Sequence, residues 1–537
     1  MKQLLLLLGC LSSAAVAQQP ATRPKLAVVI VIDQFRPDYL QRFRPFFGTG
    51  GFNLLLRRGA NFTEAEYKHA VTLTCHGHAV ILTGAHPDVN GIIANQWYDT
   101  ASGGQEYCAA DSSATLIGSS APGRSPRNLI GSTVGDELKR SSSGRSRVIT
   151  MAGKDRSAIM LGGHRADAAY WMEDSLLVSS TFYMKELPGW VERFNAQGRV
   201  SSYAGKQWNR LLPRAAYATM GPDYVAAEEN VAGMGRTFPH PLAPDSSSRF
   251  LDAFRSSPYQ NEVLLQFAMA AVRNEKLGED EDPDLLGISL SANDLIGHAF
   301  GPNSHEVMDV TVRTDRLLQG FFEFLDQRVG LSHVLIVLTA DHGVAPLPEV
   351  VRAFSVGAGR LDPSKIATAV EAGLRSRFGP APAPGWLLYM AQPWIYLNVK
   401  ALEQRGIAIE EAERTARDAV KDVRGVNQAL TATELRRQQA NGMVSGAALS
   451  FYPDRSGNIY YELNPFIVPG KEPTGTTHGS PWSYDTRVPL LWFGSWIKRG
   501  AYQEPTSIAD LAPTLSALLG IAKPSGSRGM VLQEMLR

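Results

Sequence analysis

Cysteine is nearly absent, with three in 537 residues. That excludes a disulfide-stapled scaffold and a cysteine-rich zinc module. Net charge is missing too: 53 Lys and Arg stand against 52 Asp and Glu, for +1. Such a balance does not suit a polyanion-binding protein, so no nucleic acid partner is expected, although a local basic patch is compatible with it. Beyond the N-terminus no segment offers the ~18 uninterrupted apolar residues of a membrane helix. Internal repeats, coiled-coil heptads and long low-complexity tracts are lacking as well, and SSSGRS and APGRSP read as ordinary loops.

The N-terminus has what the rest lacks. Lys2, the apolar stretch Leu4 to Leu8 and Ala15-Val16-Ala17 before Gln18 follow the order of a cleaved signal peptide, residues 1–17. The mature protein is therefore expected to be periplasmic or secreted. Cys10 in LLGC offers a second option, a lipoprotein, although it stands close to the start for a lipobox. Cleavage removes Lys2 and takes the formal charge from +1 to zero. In an oxidising compartment Cys75 and Cys108 can pair, tying the segment after Thr74 to YCAAD; two free thiols are the alternative.

β-Branched apolar runs bounded by turn residues predict strands at 25–32, 148–151, 285–290, 334–338 and 488–493. Helical patterns fall at 306–329 and 507–519. The alternation indicates an α/β fold, a mostly parallel central sheet flanked by helices on both faces. Two stretches break the rhythm. Residues 164–280, rich in Trp, Tyr, Pro and Gly, are expected to form an irregular insertion. Residues 346–470 are expected to form an inserted cap subdomain. It has a helix at 363–378, the linker GPAPAPG, a strand pair at 386–399, a charged helix at 409–420 and a hairpin in FYPDRSGNIYYEL. The catalytic core would then be assembled from 18–163, 281–345 and 471–537.

Five separated stretches each end an apolar, strand-like run with a metal-ligand or nucleophile residue type. They are Asp33 after LAVVIVI, Thr74 in TLTCHGHA, Asp294 and His298 in SLSANDLIGH, Asp341 and His342 in IVLTADHG, and His478 in TGTTHGS. Open α/β sheets place their chemistry beyond the carboxyl ends of their strands, so these residues are expected to meet there. Each alone has a plain reading: Asp33 as an N-cap, Thr74 as a turn cap, His478 as a surface histidine. Asp294 and His298 share one face if that segment is helical. Carboxylates mixed with imidazoles, and no cysteine pattern, suit two divalent ions such as Zn²⁺ gripping a phosphate-like group.

A hydroxyl such as that of Thr74 is a poor nucleophile until a metal lowers its pKa. Lys154 and Arg156 follow VITMAG with one residue between them. An extended segment would aim both cations at one dianionic phosphoryl group; a solvated basic turn is the plain alternative. Asn95 in GIIANQWYD can donate an amide hydrogen bond to another phosphoryl oxygen, or serve only as a turn residue.

At these residues the chain resembles the alkaline phosphatase superfamily. Within it, the chain is similar to the nucleotide pyrophosphatase/phosphodiesterase branch and its secreted bacterial monoesterases, the phosphate-irrepressible alkaline phosphatases. The motifs are VIDQFRPDYL, TLTCHGHAVILTGAHPDVNGIIANQWYD, KDRSA, SANDLIGHAFGP, LTADHGVAP and THGSPWSYDTRVPLL, with SIADLAPTLSALLGI near the C-terminus. The resemblance implies an alkaline-phosphatase-like fold in which Asp294, His298 and His478 hold one Zn²⁺. Asp33, Asp341 and His342 would hold the other, with Thr74 as its coordinated nucleophile. Asn95, Lys154 and Arg156 would bind the non-bridging oxygens, and turnover would pass through a phosphothreonine intermediate. The expected substrates are small-molecule phosphate monoesters.

Three rival readings are weighed against this one. Sulfatases share the superfamily fold but need a C/S-x-P-x-R context, and Cys75 is followed by HGHA. Phosphodiesterase relatives keep the same ligands and Thr but lack the Lys-x-Arg pair, so Lys154 and Arg156 favour a monoesterase. A degenerate, zinc-binding secreted protein is opposed by the complete ligand set. One departure from the family pattern is His76, which stands close enough to Thr74 to alter the pocket.

Overall fold

All of Leu26–Ile32 is 0 % exposed. Side chains of a strand alternate between its faces, so such burial demands cover on both faces and pairing at both edges. The computed structural model describes residues 23–537 apart from 245–246, 355–356 and 443–444. In it Leu26–Ile32 pairs in parallel with Asp284–Leu290 on one side and Val334–Thr339 on the other. Val148–Ala152 joins in parallel beyond Asp284–Leu290, and Ala168–Glu173 beyond that. Further strands, joined to each edge of this parallel centre by an antiparallel pairing, make up a ten-stranded sheet with helices packed around it. The expected leader at 1–17, with Cys10, lies outside the described residues.

Two expectations about strands change. The run expected at 488–493 starts at Leu490 and lies antiparallel to Val334–Thr339. Pro489 has no N–H to offer a ladder, so the strand begins after it. Residues 164–280 are not wholly irregular, because Ala168–Glu173 and Leu176–Ser180 belong to the central sheet. Their turn is closed by Asp174 at φ 51°, a left-handed conformation that Asp tolerates better than most residues. The same range also holds the long helix Tyr259–Asn274.

The stretch 346–470 carries a separate four-stranded antiparallel sheet: Leu387–Ala391, Trp394–Leu397, Ile459–Leu463 and Val426–Thr431, in that spatial order. The helices Pro363–Phe378 and Ile409–Lys421 pack on it around Trp386, Leu374, Ala416 and Tyr461. Arg455 ties it to the main body by donating to the carbonyls of Gly91 (2.6 Å) and Asn128 (2.7 Å).

Cys75 and Cys108 are joined in a disulfide. The bridge crosses 33 residues, and closing such a loop in the unfolded chain is worth about 3–4 kcal/mol. Replacing both cysteines by serine is expected to lower the denaturant unfolding free energy by about that amount. Equal unfolding curves would show that the bridge adds nothing.

Candidate active site

The parallel strands deliver their carboxyl ends to one edge, and ionisable residues gather just beyond it. Asp33 directly follows Leu26–Ile32, and Asp341 stands just past Val334–Thr339. Asp294 lies in the first turn of Ala292–Phe300, the helix that follows Asp284–Leu290, with His298 one turn on. Thr74 and His478 do not end strands, contrary to expectation. Thr74 opens the helix Thr74–Thr83, and His478 sits in a loop. Hydrogen bonds bring those two segments together: His478 Nδ1 donates to the Thr72 carbonyl (2.7 Å), and Thr72 Oγ1 donates to the Ser480 carbonyl (2.9 Å).

The side chains form two clusters. One ligand atom each from Asp33, Asp341 and His342 lies within 4.8 Å of the others, and the same holds for Asp294, His298 and His478. His298 Nδ1 bonds the Thr476 carbonyl (2.8 Å) and His342 Nδ1 the Gly343 carbonyl (3.0 Å), as His478 does with Thr72. A carbonyl takes the Nδ1 proton in each case, which leaves the Nε2 lone pair facing carboxylates. His298 Nε2 is 3.2 Å and His478 Nε2 3.5 Å from Asp294 Oδ1. His342 Nε2 is 3.3 Å from Asp341 Oδ2 and 3.6 Å from Asp33 Oδ1.

These last three atoms are buried without a hydrogen-bond partner. Buried polar atoms ordinarily have one, and three orphans converging from carboxylate and imidazole are what a divalent cation satisfies. The donor set fits a metal. The two clusters also touch, since the His342 and His478 rings stack with centroids 3.5 Å apart.

Electrostatics point the same way. Burial, and then the Asp341 charge, drive the Asp33 carboxyl well above its usual range. Burial opposes ionisation of Asp294 and Asp341 as well. It is outweighed by His298 and Lys154 at Asp294, and by His342 and His78 at Asp341, so both titrate well below the usual range. Burial lowers His342 to about 3 and depresses His478. Lys154 answers part of this demand: its ammonium sits 2.6 Å from Asp33 Oδ2 and 2.6 Å from Asp294 Oδ2, bridging both clusters.

Thr74 is 1 % exposed. Its helix approaches the Asp341 backbone so closely that a Cβ on Gly77 would fall 2.1 Å from the Asp341 carbonyl oxygen, hence the glycine. Asn95 Oδ1 accepts the Cys75 N–H (3.0 Å), which assigns Nδ2 as the donating end of that amide. Lys154 and Arg156 do not lie in an extended segment as expected. Lys154 precedes the helix Asp155–Gly162 and Arg156 lies in its first turn, so helix geometry sets their relative aim. Burial opposes the Arg156 charge, but Tyr107, Asp155 and Asp33 outweigh it and raise its pKa.

Two residues of the site escaped the sequence reading. Gln34 donates its backbone N–H to Asp341 Oδ1 (3.1 Å) and its Nε2 to Asp294 Oδ1 (2.8 Å), and so spans both clusters. It holds a left-handed φ of 62°, and Gly297 makes room for its side chain. Only its place beside Asp33 hinted at this. His78 bonds the Thr74 carbonyl (2.9 Å) and Ser289 Oγ (2.8 Å) and stands 3.2 Å from Asp341 Oδ2. Its spacing of one helical turn from Thr74 was a usable signal. His76 is fully buried and stacks with His69, with ring centroids 5.7 Å apart.

Residues 27–479 match the family model described as type I phosphodiesterase / nucleotide pyrophosphatase. The chain is 36% identical over 533 residues to alkaline phosphatase PhoV of Synechococcus elongatus, spanning 97% of this chain and 95% of the relative. It is 33% identical to alkaline phosphatase PafA of Elizabethkingia meningoseptica, spanning 96% and 95%. The crystal structure of wild-type PafA superimposes with a TM-score of 0.91 at 32% identity, covering 96% of this chain and 100% of that one. Murine ectonucleotide pyrophosphatase/phosphodiesterase 5, at 13% identity and a TM-score of 0.52 over 95% of this chain and 100% of that chain, shares the fold.

Beside the site, burial and then His86 hold the His69 imidazole well below its usual pKa. Burial, then Arg528 and Lys68, hold His86 at about 4. An unfolded chain takes up these protons near pH ~6.5, so the folded state binds fewer below that. The contribution of these two histidines to stability is therefore expected to be full above about pH 6.5 and to be lost as pH drops toward about 4. Melting temperatures recorded across this window should decline on the acid side more steeply in the native chain than in His86→Gln; identical profiles would contradict the assignment.

Proposed function

The chain belongs to the type I phosphodiesterase / nucleotide pyrophosphatase family and is a phosphoester hydrolase, and from that premise we propose a secreted or periplasmic alkaline phosphatase. It hydrolyses phosphate monoesters with two Zn²⁺ and a phosphothreonine at Thr74. Full-length similarity to alkaline phosphatases PhoV and PafA supports this. Among the described residues no helix is long and apolar enough to cross a membrane, and the leader-like N-terminus supports export.

The observation that carries the monoesterase reading is Lys154, whose ammonium touches both carboxylate clusters, with Arg156 one helical step away. A monoester brings two negative charges to the site and a diester one. Three carboxylates outnumber the two side-chain cations, so the protein alone repels phosphate. Two divalent cations reverse the sign, and with Lys154 and Arg156 present the balance suits a dianion.

The roles follow. Asp294, His298 and His478 would hold one metal; Asp33, Asp341 and His342 would hold the other, beside Thr74. When bound, the ions neutralise the attacking and leaving oxygens of an in-line displacement. The Thr74 hydroxyl gives up its proton to solvent and its oxygen bonds to phosphorus as the phosphorus–ester oxygen bond breaks, and the departing oxygen takes up a proton from solvent to leave as the alcohol. Water then cleaves the phosphothreonine, releasing phosphate and restoring the hydroxyl. Asn95 Nδ2, Lys154 and Arg156 hold the non-bridging oxygens, and the first turn of the Thr74 helix lends its partial positive charge. Gln34 and His78 keep the carboxylates and the Thr74 backbone in register.

The test is kcat/KM for p-nitrophenyl phosphate against bis-p-nitrophenyl phosphate, with zinc at alkaline pH. Two charge-assisted contacts at about 1.5–3 kcal/mol each predict a monoester preference on the order of 10²-fold or more. A diester preference would overturn the reading in favour of a phosphodiesterase with the same metals and nucleophile. Thr74→Ala is expected to abolish turnover while zinc content stays near normal; undiminished turnover would remove Thr74 as nucleophile.

A further inference from the structure

The hairpin of Gln96–Asp99 and Gly104–Tyr107 connects parts of the site that lie far apart in sequence. At its start, Asn95 accepts the Cys75 N–H on Oδ1 (3.0 Å), and its carbonyl accepts the Cys108 N–H (2.9 Å). At its end, Cys108 is bonded through sulfur to Cys75, the neighbour of Thr74. Tyr107, opposite Gln96 in the hairpin, points toward the second anion-binding helix. Its hydroxyl donates to Asp155 Oδ1 (2.6 Å) and meets Arg156 NH1 at the limit of hydrogen-bond contact (3.5 Å).

Asp155 is held from two further directions. Its Oδ1 also accepts the Arg156 backbone N–H (2.7 Å), and its Oδ2 accepts Arg124 Nε (2.7 Å). The Arg124 guanidinium lies over the Tyr107 ring, 4.9 Å from its centroid. Arg156 Nε is buried without a hydrogen-bond partner, so the Tyr107 hydroxyl is the polar contact that steers this head group. An arginine binds a phosphoryl group by the direction of its fork as much as by its charge.

We propose that Tyr107 is a positioning residue for Arg156, and that the disulfide-closed hairpin sets the nucleophile, Asn95 and the arginine in one frame. This rests on Arg156 being a phosphoryl ligand. Without the hydroxyl, Arg156 keeps its charge and loses its aim.

The probe is inorganic phosphate, titrated by calorimetry into the zinc-loaded full chain. Tyr107→Phe keeps the ring beneath Arg124 and removes only the hydroxyl. Because Arg156 keeps its charge and loses only its aim, phosphate binding is expected to weaken about 5- to 10-fold, less than the loss of a whole charge-assisted contact, with KM for a monoester rising more than kcat falls. In an Arg156→Ala background the same substitution is expected to change phosphate affinity by less than about 2-fold, because the interaction it served is gone. Unchanged affinity in Tyr107→Phe would overturn the proposal, as would an equal loss in both backgrounds.

Asp155→Asn, which breaks the same node from its other side, should show the same dependence on Arg156 should Tyr107→Phe prove poorly folded; independence would again overturn the proposal. Arg156→Ala with native phosphate affinity would overturn the premise and this inference together. A diester preference in the wild-type enzyme would sink the monoesterase reading alone, since phosphate affinity is measured without turnover.

Discussion

Three aspartates, Asp33, Asp294 and Asp341, are buried to 3 % exposure or less at the end of a sheet whose central strands are themselves fully covered. Charges taken out of water are costly unless cations and hydrogen bonds face them. Much of the surrounding structure answers that cost. Lys154 crosses from one cluster to the other, Gln34 donates to both, and histidine lone pairs are turned inward by backbone carbonyls from three different segments. Even so the groups do not balance, as the displaced titration of Asp33 and the orphaned atoms of Asp33, Asp341 and His342 show. A site built this way is completed by metal.

Rigidity around the clusters comes from several kinds of constraint acting at once. The parallel sheet sets the separations of Asp33, Asp341 and the Asp294 helix through shared strand register. Close backbone approach, which requires glycine at 77, fixes the Thr74 helix against Asp341. The Cys75–Cys108 bridge and the Asn95 side chain, whose Oδ1 accepts the Cys75 N–H, pin the hairpin to the same helix. Electrostatic preorganisation of this kind is what transition-state stabilisation needs, because the donors are in place before charge moves. The second sheet has a core of its own on one face, and on the other Trp394, Tyr396 and Tyr460 share a buried cluster with Cys75, Ala79, Ile93 and Trp97, so it braces this frame by packing as well as through Arg455.

Some of the site could be read from residue order. LAVVIVI and VLIVLT are apolar without alternation, which marks strands covered on both faces, and an Asp just past such a strand stands at a sheet end. Asp294 and His298 were legible for a similar reason, since one helical turn puts both on a single face. The aim of Lys154 and Arg156 was not. Whether K-D-R continues a strand or starts a helix depends on what packs above it, and the helix won. Ala168–Glu173 and Leu176–Ser180 were obscured because neither AAYWME nor LLVSS carries a run of β-branched residues; the first becomes a strand by pairing with Val148–Ala152 and the second by pairing with the first.

His478, Gln34 and Tyr107 mark the other limit. Nothing local distinguishes a histidine in TGTTHGS, a glutamine after Asp33 or a tyrosine before Cys108 from surface residues of the same type. Each acquires its role from a partner far along the chain: Thr72 for His478, Asp294 for Gln34, Asp155 for Tyr107. The amino-acid order by itself determined four parallel strands of the central sheet, the ligand types, and the arrival of Asp33, Asp294 and Asp341 at one sheet edge, because period, burial and turn chemistry are short-range properties. Tertiary structure alone decided which nitrogen faces inward, which carboxylates share a cation and where the arginine points, because those depend on distances between segments that meet only when the core closes.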